Sequence, residues 1–157
     1  MESEQWFFIG TGLTIYIPDG STDYTWNAQT RGKEASDDNL SWDYWSLEPN
    51  LAIRYLNNGW NITMNNIFDF NRENTTSDYR SGNTYYLDMT VAKKVTPEWT
   101  LGVISNWTKQ VTDAKISGQR ISAVPGIYSE GRRVEHVLLG LMVSYQYHSV
   151  TFTGDSF

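Results

Sequence analysis

Cysteine is absent from the chain. With it go disulfides, thiolate metal sites and cysteine nucleophiles, although the absence is compatible with an oxidising compartment. Basic residues are scarce: 12 Lys and Arg stand against 18 Asp and Glu, for a net charge of -6. A nucleic-acid surface wants a basic stripe, so the composition argues against a nucleic-acid partner. Long apolar runs are missing as well. A helix that crosses a bilayer needs about 20 apolar residues, and the longest candidate, Val137–Val143, contains Gly140. No helical periodicity is sustained anywhere. The opening Met1-Glu-Ser-Glu lacks the basic region of a signal peptide, which leaves an intracellular chain or one whose leader has been removed.

Catalytic signals are equally thin. His136 and His148 are too isolated for a metal site or a triad, and there is no Gly-rich phosphate loop. Ser144 shares a parity with His136, but spacing within one strand is not catalytic geometry. The sequence therefore predicts no enzyme, no cofactor and no metal.

What is present is alternation. Around a polar stretch, Asn71–Asn83, the chain swaps apolar and polar residues with a period of two. Trp60, Ile62, Met64, Phe68 and Phe70 oppose Asn61, Thr63, Asn65 and Asp69; Tyr85, Leu87, Met89 and Val91 oppose Tyr86, Asp88, Thr90 and Ala92. Successive side chains of a strand point to opposite faces, so each flank is a strand with one apolar and one polar face. The same reading gives strands over Gln5–Ile17, about Trp42–Leu56, Trp99–Gln110 and Val137–Tyr147, with a last one starting at Val150. Connections alternate between long (Ser21–Asn39, Asn71–Asn83, Thr112–Arg132) and short (Asn57-Asn58-Gly59, Lys94–Glu98, Tyr147-His148-Ser149).

That alternation predicts one all-β domain, an antiparallel up-and-down meander with large loops at one end. Transmembrane β-barrels have this asymmetry. The apolar parity is almost free of charge and sets Trp45, Phe70 and Trp107 near long loops and Trp60 and Trp99 near short turns, as an aromatic girdle would. The other parity carries small polar residues with scattered charges. A soluble β-barrel with its apolar face inward explains strand alternation equally well; loop lengths and girdles favour the membrane barrel. Only closed barrels and helices span lipid, yet about 7–8 strands are legible and the last heads toward the long loops. Either a strand lies hidden within Ile116–Ile127, or these strands are part of a larger barrel, or several copies assemble.

Asn74-Thr75-Thr76-Ser77-Asp78-Tyr79-Arg80-Ser81-Gly82-Asn83, followed by Tyr86-Leu87-Asp88, resembles the outer-membrane protein family named for the meta-pathway of phenol degradation. The likeness continues through Trp99–Val103 and Gln110–Asp113, and through Leu47-Glu48-Pro49 with Gly59-Trp60, covering roughly Ser41 to Gly118. The resemblance implies a barrel channel of the Gram-negative outer membrane, associated with entry of aromatic or other hydrophobic compounds. Family members are typically longer, which favours the partial-barrel reading.

On this basis Glu48, Asn50, Arg54, Asn65, Asp69, Asp88, Asn106 and Gln110 are candidates to line a lumen, as selectivity charges or as packed pairs that plug it. In the loop motif Asn74, Asp78, Tyr79, Arg80, Ser81 and Gly82, Asp78 and Arg80 are expected to form an ion pair. Gly82 is expected to supply a positive φ. The expected partners are a lipid bilayer, a small hydrophobic or aromatic solute, and further copies of the chain. The leading function is passive passage of such solutes; a non-conducting barrel that binds a partner is the alternative, and a soluble ligand-binding barrel the third.

Overall fold

The computed structural model describes residues 5–18, 24–29, 32–35, 44–122, 131 and 133–156. Its strands are β1 (Gln5–Tyr16), β2 (Tyr24–Asn27), β3 (Gly32–Ala35), β4 (Ser46–Asn57), β5 (Trp60–Asn71), β6 (Glu73–Asn74), β7 (Tyr79–Arg80), β8 (Thr84–Lys94), β9 (Trp99–Gln110), β10 (Lys115–Ile116), β11 (Gln119–Arg120), β12 (Glu135–Tyr147) and β13 (Val150–Ser156). The fold is all-β. Seven strands form one antiparallel meander in the order β1-β4-β5-β8-β9-β12-β13. These are the strands that the alternation predicts, although β4 begins at Ser46 rather than near Trp42, where residues 41–43 lie outside the described set.

Local chemistry sets the short ends. Asn58 and Gly59 both take positive φ, 46° and 78°, as a two-residue hairpin turn matched to strand twist requires. At the next turn the Thr96 hydroxyl accepts from the Trp99 amide at 3.0 Å, while Val95 N donates to Trp99 O at 2.9 Å. The long connections hold more order than loops need. β2 and β3 pair within the first, and β6, β7, β10 and β11, drawn from the other two, make a small sheet of their own in the order β11-β10-β7-β6.

Burial is inverted relative to a water-soluble sheet. On the apolar parity Leu101, Val103, Leu139 and Leu141 are 46%, 49%, 67% and 66% exposed, whereas Ala92, Thr108 and Gln110 on the other parity are 1%, 6% and 8% exposed. The polar face is withdrawn because it is concave. A Cβ built on Gly102 would lie 2.9 Å from the Cβ of Ala92, its partner across the β8–β9 ladder. In an ordinary antiparallel pair those atoms stand about 4.5–5.5 Å apart. Curvature crowds the inner face and spreads the outer one, so small residues belong inside.

Aromatic contacts gather toward both ends of the exposed face. Near the long connections Phe68 meets Tyr85 (4.8 Å between centroids) and Tyr85 meets Trp107 (5.9 Å). Near the tight turns Trp99 meets Tyr145 at 4.7 Å, and Lys93 Nζ sits 5.0 Å from the Trp60 ring centroid.

Among the described residues the sheet ends at β1 and β13. Gln5 of β1 lies opposite Asn57 and Tyr16 opposite Ser46, so β1 runs from the tight-turn end to the long-loop end. β13 follows its turn in the same direction. A ladder between them would be parallel, and none joins them among the described residues. Of the segment Ile116–Ile127, where a further strand was expected, the described part pairs within the loop sheet, β10 and β11 with each other and β10 with β7, and residues 123–130 lie outside the described set.

Candidate functional site

The concave face is organised in rows that run across the strands. One row reads Ala52, Asn65, Asp88, Asn106 and Leu138 by direct pairing. In it Asn106 Nδ2 donates to Asp88 Oδ1 at 2.6 Å, and Thr108 Oγ1 donates to Asn106 Oδ1 at 2.9 Å. Closer to the tight turns Arg54 Nε and Thr63 Oγ1 both donate to Asn61 Oδ1, at 3.1 and 3.2 Å. Asn50 faces Gly12 of β1 on one side and Ile67 of β5 on the other. The face is not purely polar, since Ile67, Ile104 and Leu138 share it.

Toward the long connections the rows open into a cleft of about 240 Å³. Tyr16, Tyr44, Glu48, Asp69, Ser81 and Tyr86 contribute to its wall. Strand pairing brings these together: β1 supplies Tyr16, β4 Glu48, β5 Asp69 and β8 Tyr86. The Tyr16 hydroxyl hydrogen-bonds Glu48. Ser46 Oγ donates to the Asp69 carboxylate, and Asn71 Nδ2 donates to Asp69 Oδ2 at 3.1 Å. Tyr44, only 7% exposed, hydrogen-bonds Ser81, and burial pushes its hydroxyl well above the ordinary tyrosine value. The cleft thus sets two carboxylates among three phenol rings. Its chemistry accepts hydrogen bonds and stacks against flat apolar groups.

Gln110 ends the concave face of β9 and binds the loop above it. Its Nε2 donates to Thr112 O at 2.7 Å and to Gly131 O at 3.0 Å, tying the third long connection to the rim of the sheet.

The loop motif is a clamp. Asn74 Oδ1 accepts from the amides of Thr76 (2.8 Å) and Ser77 (3.0 Å), which closes the turn. Tyr79 and Arg80 pair with β6 on one side and with β10 on the other. Two expectations are corrected here. Asp78 and Arg80 form no ion pair among the described residues: Asp78, at φ 51°, offers its carbonyl to Ser117 N at 2.8 Å, while Arg80 Nε donates to Asn71 O at 3.1 Å. Ladder pairing on both sides of Tyr79 and Arg80 holds that backbone and turns Arg80 to Asn71, while Asp78, just outside β7, is engaged through its backbone carbonyl. Gly82 does not have a positive φ either. A Cβ there would fall 2.1 Å from Thr112 O and 2.2 Å from Gln110 Nε2, so close approach is what requires glycine.

Beyond the clamp, Asp113 pairs with Arg133 (2.7 Å) and Arg120 (3.3 Å). The hydrogen bond from Arg133 holds the Asp113 carboxyl below its usual range. Ala114 and Ile121, next in sequence to Asp113 and Arg120, are 1% and 6% exposed, and Ile121 N donates to Ala114 O at 3.1 Å.

Tyr16, Tyr44, Ser46 and Tyr86 are cleft residues that the sequence did not mark as site residues. A tyrosine on the polar parity at a strand end was the available signal for Tyr16 and Tyr86. Tyr44 lies outside every strand and carried none.

No curated protein and no solved structure matches the chain. The likeness legible in the motif extends further than its residues suggest, taking in β1, β12 and half of β13. The model of one family matches residues 5–153, and the chain belongs to that family, whose description names a MetA-pathway of phenol degradation.

Proposed function

We propose that the chain forms the wall of an outer-membrane β-barrel channel that lets small hydrophobic or aromatic compounds pass passively. One observation carries the reading: the apolar parity is exposed and the polar parity is withdrawn into a concave face. In water that arrangement leaves large apolar surface without cover, whereas in a bilayer it matches lipid outside and a polar lumen inside. The aromatic contacts toward both ends of the exposed face support it, because Trp and Tyr favour the two membrane interfaces. The same inversion counts against a soluble ligand-binding barrel.

In this reading the loop sheet stands on the outer side and the cleft below it is the entrance. A solute would meet the phenol rings of Tyr16 and Tyr86 and the carboxylates of Glu48 and Asp69, then the Asp88–Asn106 row. Closure comes from strands or copies that bridge β1 and β13, which run the same way.

Refolding in detergent tests the barrel, and conductance in a planar bilayer tests the channel. A gel shift that disappears on boiling, at monomer or multimer size, together with stepwise conductance is the expected result. A heat-dependent shift with a sealed bilayer would reject the channel. It would leave the second reading, a non-conducting barrel, which the preformed loop sheet favours as a partner-binding surface. Protein that stays soluble in plain buffer without any shift would reject the membrane altogether.

A further inference from the structure

On the exposed face, just under the loop sheet, lies a groove of about 650 Å³ that the channel reading does not use. Its floor is one cross-strand row: Ile15 pairs with Leu47, and Leu47 with Phe70. Trp45 flanks it. These four side chains are 53%, 42%, 45% and 51% exposed in that order. Arg72 and Arg80 line the groove's upper rim. Arg72 continues the parity of Phe68 and Phe70, and its amide donates to Trp45 O at 2.9 Å, which fixes the rim to β4. Arg80 is positioned by its hydrogen bond to Asn71 O. Among the described ion pairs neither guanidinium takes part. Glu73 stands opposite Arg80 in the β6–β7 ladder, so two cations face one carboxylate at the rim.

We propose that this groove binds a phosphorylated lipid of the outer leaflet, its acyl chain along Ile15, Leu47 and Phe70 and its phosphate between Arg72 and Arg80. The inference rests on the membrane reading above. Guanidinium presents paired N–H groups that match phosphate oxygens. The apolar row begins immediately below, and it is continuous with the wider apolar face through Leu51 and Ile53 of β4. Charge above and hydrocarbon below describe an anionic amphiphile. A free anion would leave the floor unused, and a neutral lipid would leave the rim's excess positive charge uncompensated.

The test uses detergent-folded protein whose heat-dependent gel shift has been verified. It is incubated with a bis-phosphorylated, multiply acylated glycolipid or with phosphatidylcholine, and retained lipid is counted by native mass spectrometry. The wild type is expected to prefer the phosphorylated lipid. R72Q/R80Q loses that preference by roughly tenfold, while R72K/R80K, which keeps the charge but not the paired N–H groups, loses less than that. Arg72→Gln alone serves if replacing Arg80 unfolds the clamp, and loses about half of the preference on a logarithmic scale. Equal retention by wild type and R72Q/R80Q, with the gel shift intact, overturns the lipid site and leaves the barrel standing. Displacement of the glycolipid by inorganic phosphate overturns it in favour of a free-anion site. Absence of the gel shift in the wild type overturns the barrel and the lipid site together.

Discussion

Asn106 donates its amide to the Asp88 carboxylate at 2.6 Å across the β8–β9 ladder, on the face that the sheet withdraws from solvent. Hydrogen bonds to charged acceptors are the stronger kind. Asp88→Asn keeps an acceptor oxygen and is expected to be nearly neutral. Asp88→Leu strands the Asn106 amide, and through it the Thr108 hydroxyl, at a cost of about 1–3 kcal/mol. Urea unfolding in detergent measures both; equal midpoints would mean the row is solvated rather than packed.

Leu141 sits near the middle of β12 and is 66% exposed. If it faces hydrocarbon, Leu141→Arg costs roughly 2–4 kcal/mol and blocks insertion into vesicles. Thr90→Arg, at a similar depth on the concave face, inserts. Sedimentation of refolded vesicles separates them. Insertion of both variants alike would remove the lipid-facing assignment.

Asp69 and Glu48 give the cleft negative charge without a cation among the lining residues. In a conducting barrel they favour cations at the mouth. Asp69→Asn with Glu48→Gln is therefore expected to move the reversal potential in a salt gradient toward zero, with conductance preserved. An unchanged reversal potential would take the cleft off the permeation path.

Gly82 packs where a methyl group would meet Thr112 O and the Gln110 amide. Gly82→Ala forces the third long connection away from the rim and costs about 1–3 kcal/mol, as overpacking does. Gly154→Ala, with open space around it, is the control. Protease nicking near residues 112–131 should rise in the first variant only.

Asp113 is held below its usual range chiefly by its hydrogen bond from Arg133. A carboxyl whose folded pKa is depressed stabilises above its unfolded value, ordinarily 3.8, and that contribution is lost as pH falls through the folded value. The loop sheet should thus keep its protection at neutral pH and loosen below about pH 4. Hydrogen exchange at the Ala114 amide, bonded to Gly131 O at 2.9 Å, reports it. Asp113→Asn should exchange fast at every pH; a flat pH profile in the wild type would contradict the assignment.

The seven long strands and their two faces were legible in the sequence because alternation is local. Each residue's face follows from its neighbour's, and no distant contact is needed to read it. Positions such as Leu101 and Thr108 therefore fell on the correct sides, and the tight turn at Asn58 and Gly59 followed from residue chemistry alone. The direction of bending rested on loop lengths and aromatic girdles, not on alternation. Gly102 and Ala92 are ten residues apart and become informative only when the ladder sets them face to face and curvature brings them together. The cleft was visible only in part: Tyr16, Glu48, Asp69 and Tyr86 share the polar parity, but pairing in register is what gathers them, and Tyr44 lies outside the strands. Asp78 and Arg80 show the limit most plainly. Flanking Tyr79 on either side, they invited an ion pair, yet pairing of β7 with β6 and β10 turned Arg80 to Asn71 O, and Asp78 is bound through its backbone carbonyl to Ser117. Sequence by itself determined which residues form strands and which face each side chain takes, because sterics act between neighbours. Tertiary structure alone decided which side chains of the polar face meet and which loops lock together, because those depend on distances between residues that the chain holds far apart.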